Sequence, residues 1–302
     1  MTISRKRHYW TVAALSAAIL ALLTVLIIIL LHSSATTTPE DSPKIIDHTY
    51  LDDEEVVVIS SGANTTNDTI LDIEKVLFKY VEVTGGCGIH FEGDCLLVRS
   101  GPGADFPVVY RLRNNIVLKV AGEVERDGTL WYKIIFDEWL RYPERISGDW
   151  YVAAEFVEAL YDEGDRTIWE DEYTPSPLKK IIVDREEQKL YAYEDDNIFM
   201  EIPISTGVEL TPTPPGTFTI FKKTPSRYMQ GPLPGLADKQ SYDLPGVPWN
   251  LYFTHGGAVI HGAYWHDSFG SRYSHGCVNL SPTDAHTLYS WAELGTKVIV
   301  KN

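Results

Sequence analysis

Hydrophobic and polar positions divide the chain into stretches of different character. Residues 9–31 carry no charge and are dominated by Ala, Leu, Ile and Val, and the only charges before them, Arg5, Lys6 and Arg7, are basic. A helix of that length measures about 34 Å, enough to cross a hydrocarbon core of about 30 Å. The pattern therefore predicts a membrane anchor at 9–31, with a cytoplasmic tail at 1–8 and everything after it outside the cytoplasm. A cleaved signal with Ser33 and Ala35 at its small-residue site is the competing reading, but such segments have apolar cores of about 7–15 residues. Residues 32–74 read as an extracytoplasmic linker, rich in Ser, Thr and Pro up to residue 43.

From 75 to 160 the pattern changes to short apolar runs separated by turns. Leu96-Leu97-Val98, the run 108–112, Val117-Leu118-Lys119-Val120, the run 131–135 and Trp150-Tyr151-Val152 are predicted strands. Strands about every 10 residues with no helical period predict a small barrel or sandwich, and the barrel is the form expected here. Trp131, Trp139 and Trp150 are read either as a binding face or as core. An acidic, Pro-containing stretch at 161–177 is the predicted linker to a second domain at 178–302. There, Ile181-Ile182-Val183, the runs 189–193 and 198–204, the run 217–221, Leu251-Tyr252-Phe253 and Ala258-Val259-Ile260 are predicted strands. Residues 228–249, rich in Pro, Gly and aromatics, read as a long loop or lid. One helix is marked: Ser281 as N-cap, Pro282 at the first position, Asp284 as capping-box partner, an apolar stripe of Ala285, Leu288, Tyr289 and Ala292, and Gly295 as terminator. The whole is mainly β: a membrane helix, a small barrel, then a sandwich-like domain with one main helix.

Charge narrows the partners. The chain holds 26 Lys+Arg against 42 Asp+Glu; without the three N-terminal basic residues the balance is 23 − 42 = −19. This balance argues against nucleic acid as a partner, which requires a basic footprint. Of the three cysteines, Cys87 and Cys95 lie in a Gly-rich stretch that can bend to join them, and an oxidising compartment favours the disulfide. Cys277 is the thiol left over.

Cys277 stands in Tyr273-Ser274-His275-Gly276-Cys277-Val278-Asn279-Leu280, just before the capped helix. A free thiol is about 3 % thiolate at pH 7, so a nucleophilic cysteine needs a base beside it. His275 qualifies if residues 275–277 are extended, since both side chains then share a face. His261, at the end of a predicted strand with Gly262 after it, qualifies from another direction. Local pattern does not choose between them. The Cys277 N–H is the expected oxyanion donor, with Gly276 giving the backbone freedom to aim it. His261, His266, His275 and Cys277 together also form a possible zinc set, although no His-Glu-x-x-His or paired-Cys pattern accompanies them. His255, His266 and His286 taken singly read as structural.

Several motifs in order are similar to those of one family. Ile182-Val183-Asp184, the run 188–193, Ser205-Thr206-Gly207, the run 213–218, His261-Gly262 and Ser274-His275-Gly276-Cys277-Val278-Asn279 resemble the L,D-transpeptidase (YkuD-type) catalytic domain over residues 178–301. The run 98–103, Trp131-Tyr132-Lys133 and Asp149-Trp150-Tyr151-Val152 resemble a bacterial SH3-like domain, with 137–148 as an insertion. The resemblance implies a cysteine acyltransferase that needs no cofactor and acts on peptidoglycan stem peptides. Cys277 would be the nucleophile and His261 the base, oriented by the carbonyl of residue 262. His275, Gly276, Ser274 and Asn279 would shape the oxyanion or substrate side. The reaction implied is thioester formation on a stem tetrapeptide with loss of D-Ala, followed by cross-linking between third residues. Hydrolysis as an L,D-carboxypeptidase, or a non-catalytic wall-binding role, are the alternatives.

Overall fold

The computed structural model describes residues 75–169, 178–232 and 241–302. The predicted anchor at 9–31, the linker before residue 75 and residues 170–177 lie outside them. Among the described residues no helix is long and apolar enough to cross a membrane.

Strands β1 (Phe78–Val83), β2 (Leu96–Arg99), β3 (Val108–Leu112), β4 (Val117–Arg126), β5 (Thr129–Ile135), β6 (Trp150–Ala153) and β7 (Val157–Asp162) form one sheet in the order β3-β2-β6-β5-β4-β1-β7. The expected barrel is therefore an open sheet. β7 pairs with β1 along its whole length, from Phe78↔Asp162 to Val83↔Val157, so both sides of β1 are taken and β3 and β7 remain as edges. Trp131 and Trp150 are core residues at 7 % and 2 % exposure, while Trp139 is 73 % exposed. Cys87 and Cys95 are joined in a disulfide.

The rest of the chain builds two five-stranded sheets. One contains β9 (Lys179–Asp184), β10 (Lys189–Glu194), β11 (Asn197–Pro203), β12 (Gly216–Thr219) and β17 (Lys297–Lys301), ordered β11-β10-β9-β17-β12. Alternation is legible there: Leu190 and Ala192 on β10, and Val298 and Val300 on β17, point into the core. The other contains β8 (Arg166–Thr167), β13 (Lys222–Pro232), β14 (Ser241–Tyr252), β15 (Val259–Gly262) and β16 (Val278–Leu280), ordered β16-β15-β14-β13-β8. The two sheets share one core with helix α1 (Pro282–Trp291), whose buried face presents Ala285, Leu288 and Tyr289. Ser281 caps α1 by accepting from the Asp284 N–H at 3.1 Å. The helix stops before Ala292 rather than at Gly295.

Two segments differ from the sequence reading. Residues 228–232 and 241–249 are strand, because β13 and β14 form a long antiparallel pair from Lys222↔Tyr252 to Pro232↔Ser241. The prolines at 225, 232, 245 and 248 masked it, and a register shift between Arg227 and Met229 breaks the alternation. The predicted linker begins with ordered structure: β7 runs to Asp162, and β8 pairs with β13 through Arg166↔Lys223.

The N-terminal sheet does not hang free of the other two. Its core cluster includes Tyr228, Val247 and Tyr264 from the C-terminal domain, packed with Leu112, Ile116 and Leu118. At the seam, Ser226 Oγ donates to the Val117 carbonyl at 2.5 Å. Gly246 comes so close that a Cβ there would lie 2.5 Å from the Val117 oxygen.

Candidate active site

β15 and β16 are short, parallel and fully buried, with Ile260 opposite Val278 and His261 opposite Asn279. Such pairing brings two distant parts of the chain side by side: β15 ends at His261-Gly262, and β16 begins immediately after Cys277. Ser205 clamps the outer side of β16, its N–H donating to the Asn279 carbonyl and its carbonyl accepting from the Asn279 N–H, at 2.9 and 2.8 Å. His261 and Cys277 line one cleft of about 980 Å³ together with Ser274, His275, Gly276 and Asn279.

The loop before β16 is tied to itself. Ser274 Oγ donates to the Cys277 carbonyl at 2.5 Å and accepts the Gly276 N–H at 3.2 Å. Gly276 has φ +119°, so residues 275–277 are not extended, and the condition under which His275 and Cys277 would share a face is not met. His275 is exposed, whereas Cys277 is half-buried. Thr213 braces the same loop, donating to the Cys277 carbonyl at 3.3 Å and accepting the Gly207 N–H at 2.9 Å. The Gln188 side chain in turn donates to Thr206 Oγ1 at 2.7 Å. The motifs at 188, 205–207 and 213 thus join in one network that braces the loop carrying Cys277.

His261 is 2 % exposed, and its Nδ1 lies 3.0 Å from the Gly262 carbonyl. A carbonyl only accepts, so Nδ1 carries the proton and Nε2 holds the lone pair. Burial lowers the His261 pKa to about 4, against the opposing pull of the Gly262 carbonyl. Burial likewise raises the Cys277 thiol, and the Val259 backbone hydrogen bond draws it back only in part. At neutral pH the two groups rest as thiol and neutral imidazole. No side chain fits at position 262, where a Cβ would meet Pro248 at 2.9 Å and Pro282 at 3.1 Å; the backbone carbonyl is the orienting group available.

The zinc reading of His261, His266, His275 and Cys277 finds no support in this arrangement. Among the described residues no three His, Cys, Asp or Glu side chains gather as a metal-holding group. Both His266 nitrogens are engaged, Nδ1 by the Ser268 N–H at 3.1 Å and Nε2 by the Asn279 side-chain amide at 2.9 Å. Asn279 therefore holds the loop through His266. His255 stacks on Phe221 and His286 on Trp249.

Residues 178–300 match the L,D-transpeptidase catalytic domain, and residues 96–158 match the bacterial SH3 domain. The C-terminal domain is an L,D-transpeptidase catalytic domain. A curated relative, the probable L,D-transpeptidase 3 of Mycobacterium tuberculosis, is 34% identical over 104 residues, which are 33% of this chain. The match spans only 38% of that relative's length. Solved structures that resemble parts of the chain include a cysteine-to-serine mutant of the Enterococcus faecium L,D-transpeptidase, at 29% identity and TM-score 0.37 over 41% of this chain and 50% of that one. Another is the L,D-transpeptidase from Mycobacterium smegmatis, at 22% identity and TM-score 0.39 over 58% of this chain and 91% of that one.

The L,D-transpeptidase domain is not the only part that faces the cleft. Arg113 and Arg141, from the bacterial SH3 domain, line it as well, as does Tyr242 on β14. Sequence reasoning passed over all three. Nothing local marks a surface arginine in one domain as a wall of another domain's site. Thr213 was within a quoted motif, but its hold on the Cys277 carbonyl is a contact 64 residues away in sequence.

Proposed function

We propose that the chain is a peptidoglycan L,D-transpeptidase in which Cys277 is the nucleophile and His261 the general base. The observation that carries this is the His261 Nδ1 contact to the Gly262 carbonyl, which leaves a basic Nε2 in the cleft that holds the free thiol. Nε2 takes the Cys277 proton as the sulfur attacks the carbonyl carbon of the third residue of a stem tetrapeptide, the one bonded to the D-Ala nitrogen. The peptide C–N bond breaks, and the imidazolium returns its proton to the departing D-Ala amine. A thioester remains on Cys277. The amine on the third residue of a neighbouring stem then attacks it, giving up a proton to His261, and the thiol is restored. Because Gly276 N–H is held by Ser274, the Cys277 N–H is the donor we assign to the oxyanion. The exposed His275 borders the substrate side.

The Cys87–Cys95 disulfide supports a place outside the cytoplasm, where such bonds persist, and residues 9–31 supply the hydrophobicity for an anchor in the cell membrane. Incubating the full-length protein with a disaccharide-tetrapeptide and weighing it by intact mass spectrometry tests the assignment. An adduct short of D-Ala on Cys277, absent in Cys277→Ala, is expected, and a carbapenem should acylate the same sulfur. Release of a free tripeptide with no dimer would convert the reading to an L,D-carboxypeptidase. No adduct with either probe would leave a wall-binding protein.

A further inference from the structure

The cleft around Cys277 has one wall from the bacterial SH3 domain, and what that wall offers is positive charge. We propose that Arg113 and Arg141 form an anion subsite that binds the terminal carboxylate of the acyl-donor peptide, making the SH3 domain a specificity-determining part of the active site. The inference rests on the acyltransferase reading above and names what that site selects.

Charge is the first observation. The chain has a formal net charge of −16, yet among the described residues those lining this cleft include two arginines and no Asp or Glu. Among the described residues neither guanidinium has an ion-pair or hydrogen-bond partner; Arg113 is half-buried and Arg141 exposed, so both charges are open to a ligand. Carboxylates of the same region are engaged elsewhere. Asp243 accepts from Gln230 Nε2 at 2.9 Å, and Glu138 pairs with Arg227 at 2.5 Å. Tyr242 on β14 lines the same cleft as Arg141 and Cys277.

Positioning is the second. Arg113 follows β3 and bridges Cys87, and its guanidinium carbon stands 3.9 Å from the centre of the Phe91 ring. Phe91 belongs to the loop closed by the Cys87–Cys95 disulfide, so a covalent tie holds the ring on which Arg113 rests. That loop also reaches the catalytic domain, where His90 Nε2 lies 3.4 Å from Asp267 Oδ2. Arg141 sits in the insertion at 137–148, which is bonded along β13. Glu138 accepts the Tyr228 N–H at 2.6 Å, the Tyr142 N–H donates to Gln230 Oε1 at 2.9 Å, and Arg227 donates to the Trp139 carbonyl at 3.0 Å. Two separate segments of the SH3 domain are thus anchored so that each contributes one arginine to the cleft wall. Guanidinium binds carboxylate with a geometry that ammonium does not match.

The test compares a disaccharide-tetrapeptide bearing a free terminal carboxylate with its terminal amide, using full-length protein and intact-mass acylation rates. Wild type is expected to prefer the carboxylate by about 10- to 100-fold in kcat/KM, chiefly through KM. In R113Q/R141Q the ratio should fall toward one, and Arg141→Lys should keep part of it. Should Arg113→Gln fail to fold, Arg141→Gln on its exposed loop carries the comparison alone. Equal rates in wild type, or a preference that survives the double substitution, would overturn the subsite while leaving the transpeptidase standing. Acylation by neither substrate would overturn both.

Discussion

His261 Nδ1 lies 3.0 Å from the carbonyl oxygen of Gly262, and this contact sets the tautomer of a ring that is otherwise buried in apolar surroundings. Burial holds the His261 pKa down at about 4, well below the usual value near 6.5. In the free enzyme the base is therefore unprotonated through the weakly acidic range. The acid limb of kcat/KM should fall near pH 4 rather than near 6.5, and His261→Ala should lower acylation by roughly 10²–10⁴-fold. The same shift bears on stability. A histidine depressed on folding contributes stability that is complete above about pH 6.5 and is lost as pH falls through about 4, worth up to about 3 kcal/mol. Urea midpoints that stay level from pH 7 to pH 4.5 would contradict this.

Ser274 binds both ends of the nucleophile loop, through the Cys277 carbonyl and the Gly276 N–H. Ser274→Ala frees the two groups at once near a glycine with positive φ. Acylation is expected to slow by about 10- to 100-fold, the equivalent of one or two buried hydrogen bonds, while the melting temperature drops only slightly. Rates equal to wild type would mean that Thr213 alone suffices to hold the loop.

Gly246 lets β14 approach the SH3 sheet. It has φ +61°, and a Cβ would stand 2.5 Å from the Val117 carbonyl oxygen, which is backbone and cannot swing away. Gly246→Ala should cost about 2–4 kcal/mol and open the seam between the domains. Urea denaturation together with limited proteolysis would show it; an unchanged midpoint would mean that the seam does not contribute to stability.

Lys223 points from β13 to the end of α1, where its Nζ donates to the Tyr289 carbonyl at 2.8 Å and the Ala292 carbonyl at 2.5 Å. Burial lowers its pKa to about 8, so it is still mainly charged at neutral pH, at the helix end that favours a cation. Lys223→Met keeps the apolar stem but orphans two terminal carbonyls. A loss of about 2–3 kcal/mol in calorimetry is expected, and a neutral result would assign the capping to water.

Much of this protein was legible in its sequence because the signals were local. Apolar runs marked β9, β10 and β11; the Ser281-Pro282-Asp284 start marked α1; and Cys277 stood out once Cys87 and Cys95 were paired. The motif residues His261, Ser274 and Asn279 were named before their contacts were known. What the sequence obscured was set by pairing at a distance. Prolines hid β13 and β14, since proline breaks the local pattern but not an edge or bulged ladder. The edge-to-edge pairing of β1 with β7, which opens the expected barrel, joins segments about 80 residues apart. The loop at Cys277 is bent rather than extended because Ser274 and Thr213 hold its carbonyl, and no local pattern chose between His261 and His275 as base. Arg113 reaches the cleft wall through its bridge to Cys87 and its rest on Phe91, and Arg141 through the bonds of its insertion to β13, all contacts distant in sequence. Periodicity, caps and turns are short-range and are written along the chain; which side chains share a cavity depends on how sheets pack, and that is decided only when the core closes.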